Sequence, residues 1–440
     1  MCRLILKGVL NMNTTFDFPK CEIADRFFAV VYMLVGYCFI YVFTGANDTI
    51  ALSMFTVLYA VVVLCYLWAK EVRPPAESWF WLAVVLAIGI PFGFYSILYV
   101  LQILALMATA AYWTLSASGR LLQGGKTSQW VFFDFWNAVA MVPFGNFCQV
   151  RVLTKAQSAP TEEKKENHIG AILLGVVLTI PALIIILPLL ASADAGFQLM
   201  VGGIVEYIQV HMFIILIRVV LAIPVSEYLF GLVFGGIHGR NADRIQTEKL
   251  QETGKKIRKV SDTAVCTALF VICLIYLLFV SLQGSYLFSA FQGKIPQGFT
   301  YSEYARRGFF ELCQIGAWNL VFLGCAELFS RSGSRRHRGL GRLFVLLSVF
   351  TLFLIGTAVS KMGMYISVYG LTVYRILPLT FMLWMAVVFM LIILRQKKVF
   401  PMIRICVLTG AVMFCLLCVF PIGAWVELYN TWARGMGYIV

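Results

Sequence analysis

Two short stretches of this sequence gather charge where charge is costly. Tyr301-Ser302-Glu303-Tyr304-Ala305-Arg306-Arg307-Gly308-Phe309-Phe310-Glu311-Leu312 opens one apolar run, and Tyr369-Gly370-Leu371-Thr372-Val373-Tyr374-Arg375 opens another. A charge inside a bilayer needs a partner or a task. Arg307 and Glu311 are four apart and share a helix face, whereas Arg306 points about 100° away. Glu311 and Arg375 each lie about seven residues into their runs, ~10 Å by helix rise, which predicts Glu311 shared between Arg307 and Arg375. Beside two helix N-termini, Arg306, Arg307, Arg375 and Thr372 form a candidate outer site for a phosphate, carboxylate or lipid headgroup. The competing account has the same arginines clamping helices together and snorkelling to the interface.

Arg218 stands alone in HMFIILIRVVLAIPVSEYLFG, with Pro224 six residues on and Glu206 and Glu227 too distant along the helix to pair with it. It is read as mid-span, either packed on another helix's carbonyls or lining a solute or ion path. Gln283, Asn319, Glu327 and Asn137 either line that path or bond helix to helix. Cys415 and Cys418 form a C-x-x-C inside an apolar run. With no acidic or histidine ligand nearby, they read as small packing residues. No metal site, cofactor motif, zinc-protease helix, nucleophile elbow or Walker lysine loop is present in the sequence, which disfavours an enzyme.

The elements that position these residues are membrane helices. Apolar residues make up 61% of the 440-residue chain and charged ones 13%; a soluble domain of this size carries roughly 25%. The apolar runs suit helices crossing a ~30 Å core. Polar punctuation gives about eleven spans: 27–44, 49–69, 78–92, 96–117, 169–191, 205–236, 262–283, 304–329, 343–360, 368–394 and 402–420. The fold expected is an all-α polytopic transmembrane bundle. Four spans fall in 1–150, a polar linker follows at 151–168, and seven lie in 169–440. Residues 128–147 are aromatic and interrupted by Asp134, Asn137 and Pro143, which predicts an interfacial or re-entrant helix with Trp130 and Trp136 at headgroup depth. GLVFGGIHG (231–239) reads as glycine terminating a helix.

Charge sets the orientation. The net charge is +14, and alternate loops hold 28 of the 35 Lys and Arg residues. That asymmetry puts the N-terminus inside and the C-terminus outside. Lys294, Arg306, Arg307, Lys361, Arg375 and Arg434 are left on the outer side. The basic residues occupy short loops rather than one continuous surface, which argues for membrane lipids as partners and against nucleic acid. The first apolar run lacks a small-residue exit and is expected to stay as an uncleaved anchor.

At the two charged clusters, SEYARRGFFEL (302–312), preceded by LQGSYLF (282–288), and YGLTVYR (369–375) resemble a family of bacterial membrane proteins catalogued as a domain of unknown function (4173, close to 4153). LLASADAGF (189–197) fits that family's first outer turn. The resemblance covers roughly 169–430 and falls on Tyr304, Arg306, Gly308, Phe309, Glu311, Tyr369, Gly370, Leu371, Thr372 and Arg375. The family's Ala-x-Tyr-Asn-like end is matched only loosely by Val426-Glu427-Leu428-Tyr429-Asn430. It implies a bacterial cytoplasmic-membrane protein and brings no activity.

Three functions are compatible with this pattern. The leading one is binding or translocation of an anionic or lipid-linked solute through the C-terminal bundle, passive, ion-coupled or driven by another subunit. A regulatory or scaffold subunit would instead sense an outer ligand and contact a protein partner through the loops 238–261 and 330–342. An intramembrane transferase on a lipid-linked substrate would use Glu311 or Glu303 as base.

Overall fold

The structure, a computed structural model, describes residues 22–45, 49–93, 99–147, 179, 186, 189–190, 195–242, 245, 247–289, 301–332 and 337–437, without the side chains at 93, 195–213, 283–289 and 301–308. In chain order the helices are α1 (Ile23–Thr44), α2 (Thr49–Ala69), α3 (Ala76–Gly89, running into a 3-10 turn at Ile90–Gly93), α4 (Tyr99–Ala117), α5 (Val131–Gly145), α6 (Ala195–His238) and α7 (Thr247–Ile257). They continue as α8 (Asp262–Ser289), α9 (Tyr301–Phe329), α10 (Arg338–Tyr369), α11 (Val373–Lys397), α12 (Met402–Val419) and α13 (Ile422–Gly435). Among the described residues nine helices are long and apolar enough to cross a membrane; α3, α5, α7 and α13 are not among them. The eleven spans expected include the short α3 and the run 169–191, most of which lies outside the described residues.

Local chemistry sets the helix ends. α1 starts at Ile23, earlier than its apolar run, because Glu22 and Asp25 form a capping box across the first turn. Pro75, Pro401 and Pro421 stand at the N-caps of α3, α12 and α13, where a missing N–H costs nothing. Gly370, at φ +77°, separates α10 from α11.

The helices pack as two cores. The first draws on α1 to α6 and one side of α12, so it takes residues from both sides of the 151–168 linker. The second draws on α8 to α12. Contacts between helix ends sort the loops onto two faces. Lys70 and His238 reach Asp25, Arg404 reaches Glu77, and Arg395 reaches Glu327. These ends make a basic face. Ser53 donates to the Ile90 carbonyl and Arg218 to Thr44 on the opposite face.

Hydrocarbon outside the bundle removes most of the hydrophobic drive between helices, so close packing and polar bonds hold it together. The seam of α5 on α6 shows both. A Cβ at Gly235 would strike the Asn146 amide and Val142, and one at Gly231 would meet the Pro143 carbonyl at 2.9 Å. These glycines therefore admit a neighbouring backbone; the expected role as terminator belongs to Gly239 alone, at φ +67°. Across the same seam Asn137, Asn146 and Asn241 donate to the carbonyls of Ala242, Arg240 and Gly145. α5 falls in the stretch expected as an interfacial or re-entrant helix and carries a π-helical turn at Asn137–Met141. Pro143 lacks the amide hydrogen that the Val139 carbonyl would normally receive. The Tyr228 hydroxyl of α6 donates to that carbonyl instead, at 2.9 Å.

Candidate functional site

Between α1, α2, α4, α5 and α6 lies a cavity of about 610 Å³. Its wall is aliphatic and aromatic, including Phe39, Phe55, Ile103, Ala110, Val139 and Leu229. Among the described wall residues three side chains carry hydroxyls, and each is already engaged. Thr56 donates to the Leu52 carbonyl, Tyr59 pairs with Thr114 at 2.8 Å, and Tyr228 donates to Val139. The wall therefore offers a polar guest no side-chain hydroxyl donor among these residues. Exposed Leu104, Met107 and Phe144 belong to the same wall and place its mouth on the lipid-facing side.

Towards the basic face the cavity gives way to a buried polar layer. Asp25 is fully buried; its carboxylate accepts from the Tyr66 hydroxyl at 2.7 Å, the Glu22 amide at 2.9 Å and the Lys70 ammonium at 3.1 Å, with His238 Nε2 at 3.2 Å. Lys70 also holds Glu22, at 2.7 Å. Burial works against the Lys70 charge, but the Glu22 and Asp25 carboxylates outweigh it and hold the ammonium above the ordinary lysine range. An aromatic column of Tyr32, Phe230 and Phe234 leads down to the His238 ring. Beside it Glu77 accepts from Thr127 N and Arg404, while Trp81 and Tyr112 both donate to the Thr127 hydroxyl. Asp134, on the non-spanning α5, has one oxygen bonded to the Leu122 amide and the other without a described partner. Burial pushes its carboxyl up to about 6, against the lowering effect of that amide.

The C-terminal bundle places the expected polar residues differently from one another. Asn319 is fully buried, accepting from the Tyr276 hydroxyl at 2.6 Å and donating to Thr351 at 2.9 Å, so it ties α8, α9 and α10 together. The antiparallel register that brings Asn319 to Thr351 brings Glu311 towards Lys361, and the Glu311 charge acts on that ammonium. Lys361 is not a loop residue of the outer side, as expected, but lies inside α10 at 1% exposure.

The expected sharing of Glu311 between Arg307 and Arg375 falls partly outside the described residues, which do not include the Arg307 side chain. Arg375 donates back to the Tyr369 and Gly370 carbonyls and covers the Tyr365 ring at 4.1 Å. Its charge thus closes the turn that Gly370 opens. Thr372 is the N-cap of α11, with no side-chain cap bond. Leu371 exchanges two hydrogen bonds with Asn430, at 2.7 and 2.9 Å, which docks the tail helix α13 on this turn. The side chains of Glu303, Arg306, Arg307 and Gln283 lie outside the described residues.

Arg218 sits within the long helix α6. It lies twenty residues before the end of the 44-residue α6, ~30 Å from the basic face by helix rise. There it donates to Thr44 at 2.9 Å and caps the Tyr41 ring at 4.8 Å. Glu327 pairs with Arg395, and Cys415 and Cys418 pack into the first core. Sequence reading missed Asp25, Lys70, His238 and Lys361; the capping-box spacing of Glu22 and Asp25 was the one local signal available.

No curated protein and no solved structure matches the chain. The family described as a domain of unknown function, DUF4153, matches residues 80–435, starting well before the 169 expected and carrying the neighbouring number to 4173. The two charged clusters, the Arg375 staple and the docked tail all fall within that stretch, and the chain belongs to the DUF4153 family.

Proposed function

We propose that this protein binds a lipid or lipid-linked molecule, with the hydrocarbon chain seated in the cavity between α1, α2, α4, α5 and α6. The observation that carries the reading is the wall itself: about 610 Å³ of space whose three hydroxyl side chains are all satisfied internally. Its volume lies within the usual range of ligand pockets, and an apolar space at membrane depth favours hydrocarbon over water. The asymmetry of Lys and Arg supports a cytoplasmic membrane with the basic face inside, and the family resemblance supports a bacterial source. Native mass spectrometry of detergent-purified protein tests the reading. Wild type should carry a co-purified lipid that Ala110→Trp, filling the cavity, loses. Equal retention by a folded Ala110→Trp protein would remove the cavity from the argument.

A second reading, ion-linked translocation through the C-terminal bundle, draws on Lys361. A lysine at 1% exposure within a spanning helix, under the influence of Glu311, is the kind of intramembrane charge that marks ion paths. Proton flux into proteoliposomes should fall in Lys361→Met and Glu311→Gln. Unchanged flux in both would leave these residues as helix-packing charges.

A further inference from the structure

A second cavity, about 530 Å³, opens on the basic face where α7 crosses the ends of α9, α11 and α12. Its chemistry is graded. Lys255, Arg258 and Arg395 stand at the rim, with Glu327 as the one carboxylate among the described lining residues. Arg395 gives one nitrogen to Glu327 at 3.3 Å, and a guanidinium has five N–H donors. Three cations against one anion leave a surplus of two positive charges. The floor is apolar: Leu320, Leu323, Phe344 and Ile392. Leu320 lies nine residues before the end of α9, so the floor descends ~13 Å from the face by helix rise.

We infer that this groove holds the phosphate-bearing head of an anionic membrane lipid, its first chain carbons lying on the apolar floor. The depth and the gradient together select an amphiphile. A soluble phosphate would meet the cations but leave the floor without a partner, and a zwitterionic head would bring a cation into a rim already in positive surplus. α7 is the helix that makes the site. It carries Lys255 at its C-terminal end, and it is anchored by Leu250, which packs with Ile245 on Leu122, Trp130 and Phe133. The occupant would thus lie between the N-terminal loops and the C-terminal bundle, as a joint of lipid between the two cores. The site is separate from the apolar cavity, whose wall shares no residue with it; Ala110→Trp should leave it unaffected, so the two readings fail independently.

The test is a titration of delipidated full-length protein with phosphatidylglycerol or phosphatidylcholine of the same chains, read by native mass spectrometry. Wild type should prefer phosphatidylglycerol. Lys255→Gln/Arg258→Gln should weaken its binding roughly tenfold or more; both residues are exposed, so the fold is retained. Lys256→Gln/Lys259→Gln removes the same charge from the same segment outside the groove and should change binding little. Equal weakening by the two pairs, or no preference between the lipids, would overturn the site. Displacement of phosphatidylglycerol by millimolar inorganic phosphate would overturn the lipid assignment and leave a soluble-anion site.

Discussion

Asn430 and Leu371 hold each other by two reciprocal hydrogen bonds, the amide side chain of one accepting from and donating to the backbone of the other at 2.7 and 2.9 Å. α13, which bears exposed Trp425, Leu428 and Trp432 at helical spacing, is thereby hooked to the turn between α10 and α11. Asn430→Ala leaves a backbone donor and acceptor to find other partners, at about 1–3 kcal/mol. The expected result is faster hydrogen exchange at the 370–372 backbone and along α13. Exchange identical to wild type would show that the interface, not Asn430, holds the tail.

The Asp25–Lys70 contact should behave as a buried pair. Lys70→Met removes the ammonium from a carboxylate at 0% exposure that keeps the Tyr66 hydroxyl, the Glu22 amide and His238, and is expected to cost about 1–3 kcal/mol. Asp25→Asn combined with Lys70→Met should recover part of that loss, because the buried negative charge is gone. Thermal unfolding in detergent measures both; a double variant no better than Lys70→Met alone would contradict the pairing.

Asp134 gives a pH dependence of definite sign. With its carboxyl raised to about 6 from an ordinary 3.8, the folded protein favours the protonated form. The stabilisation is complete below about 3.8 and is lost as pH rises through about 6, up to about 3 kcal/mol in all. Wild type should therefore lose stability between pH 4 and 7 relative to Asp134→Asn. Parallel pH profiles for the two proteins would mean that Asp134 ionises freely.

Glycines of similar sequence context should respond oppositely to a methyl group. Gly235→Ala drives a Cβ into Asn146 and Val142, and overpacking of this kind costs about 1–3 kcal/mol. Gly324→Ala in α9 meets nothing within 4 Å and should gain up to about 1 kcal/mol from helix propensity. Melting temperatures of the two variants should move in opposite directions.

The spanning helices were legible because hydropathy over some twenty residues is a property of one segment. The contacts were not, because each is made between segments. Nothing near Arg218 in sequence points to Thr44, 174 residues earlier. Asp25 precedes the first expected span at 27–44, and the capping box that pulls the helix start back to Ile23 places it on the helix. Glu311 and Arg375 matched in depth, yet depth alone makes no contact, and Arg375 turns back onto the Tyr369 and Gly370 carbonyls and the Tyr365 ring. GLVFGG carried two meanings, a helix stop and a close-packing surface, and the neighbouring α5 decides for the second.

The bond from Tyr228 to Val139 has a consequence for how the chain is made. The two residues are 89 apart, and the donors of Asn137 and Asn146 likewise wait for the carbonyls of Ala242 and Arg240. When α5 leaves the ribosome, the groups that complete its hydrogen bonding have not yet been synthesised. α5 can take its final place only after α6 has entered the membrane, so the earlier segment is assembled second.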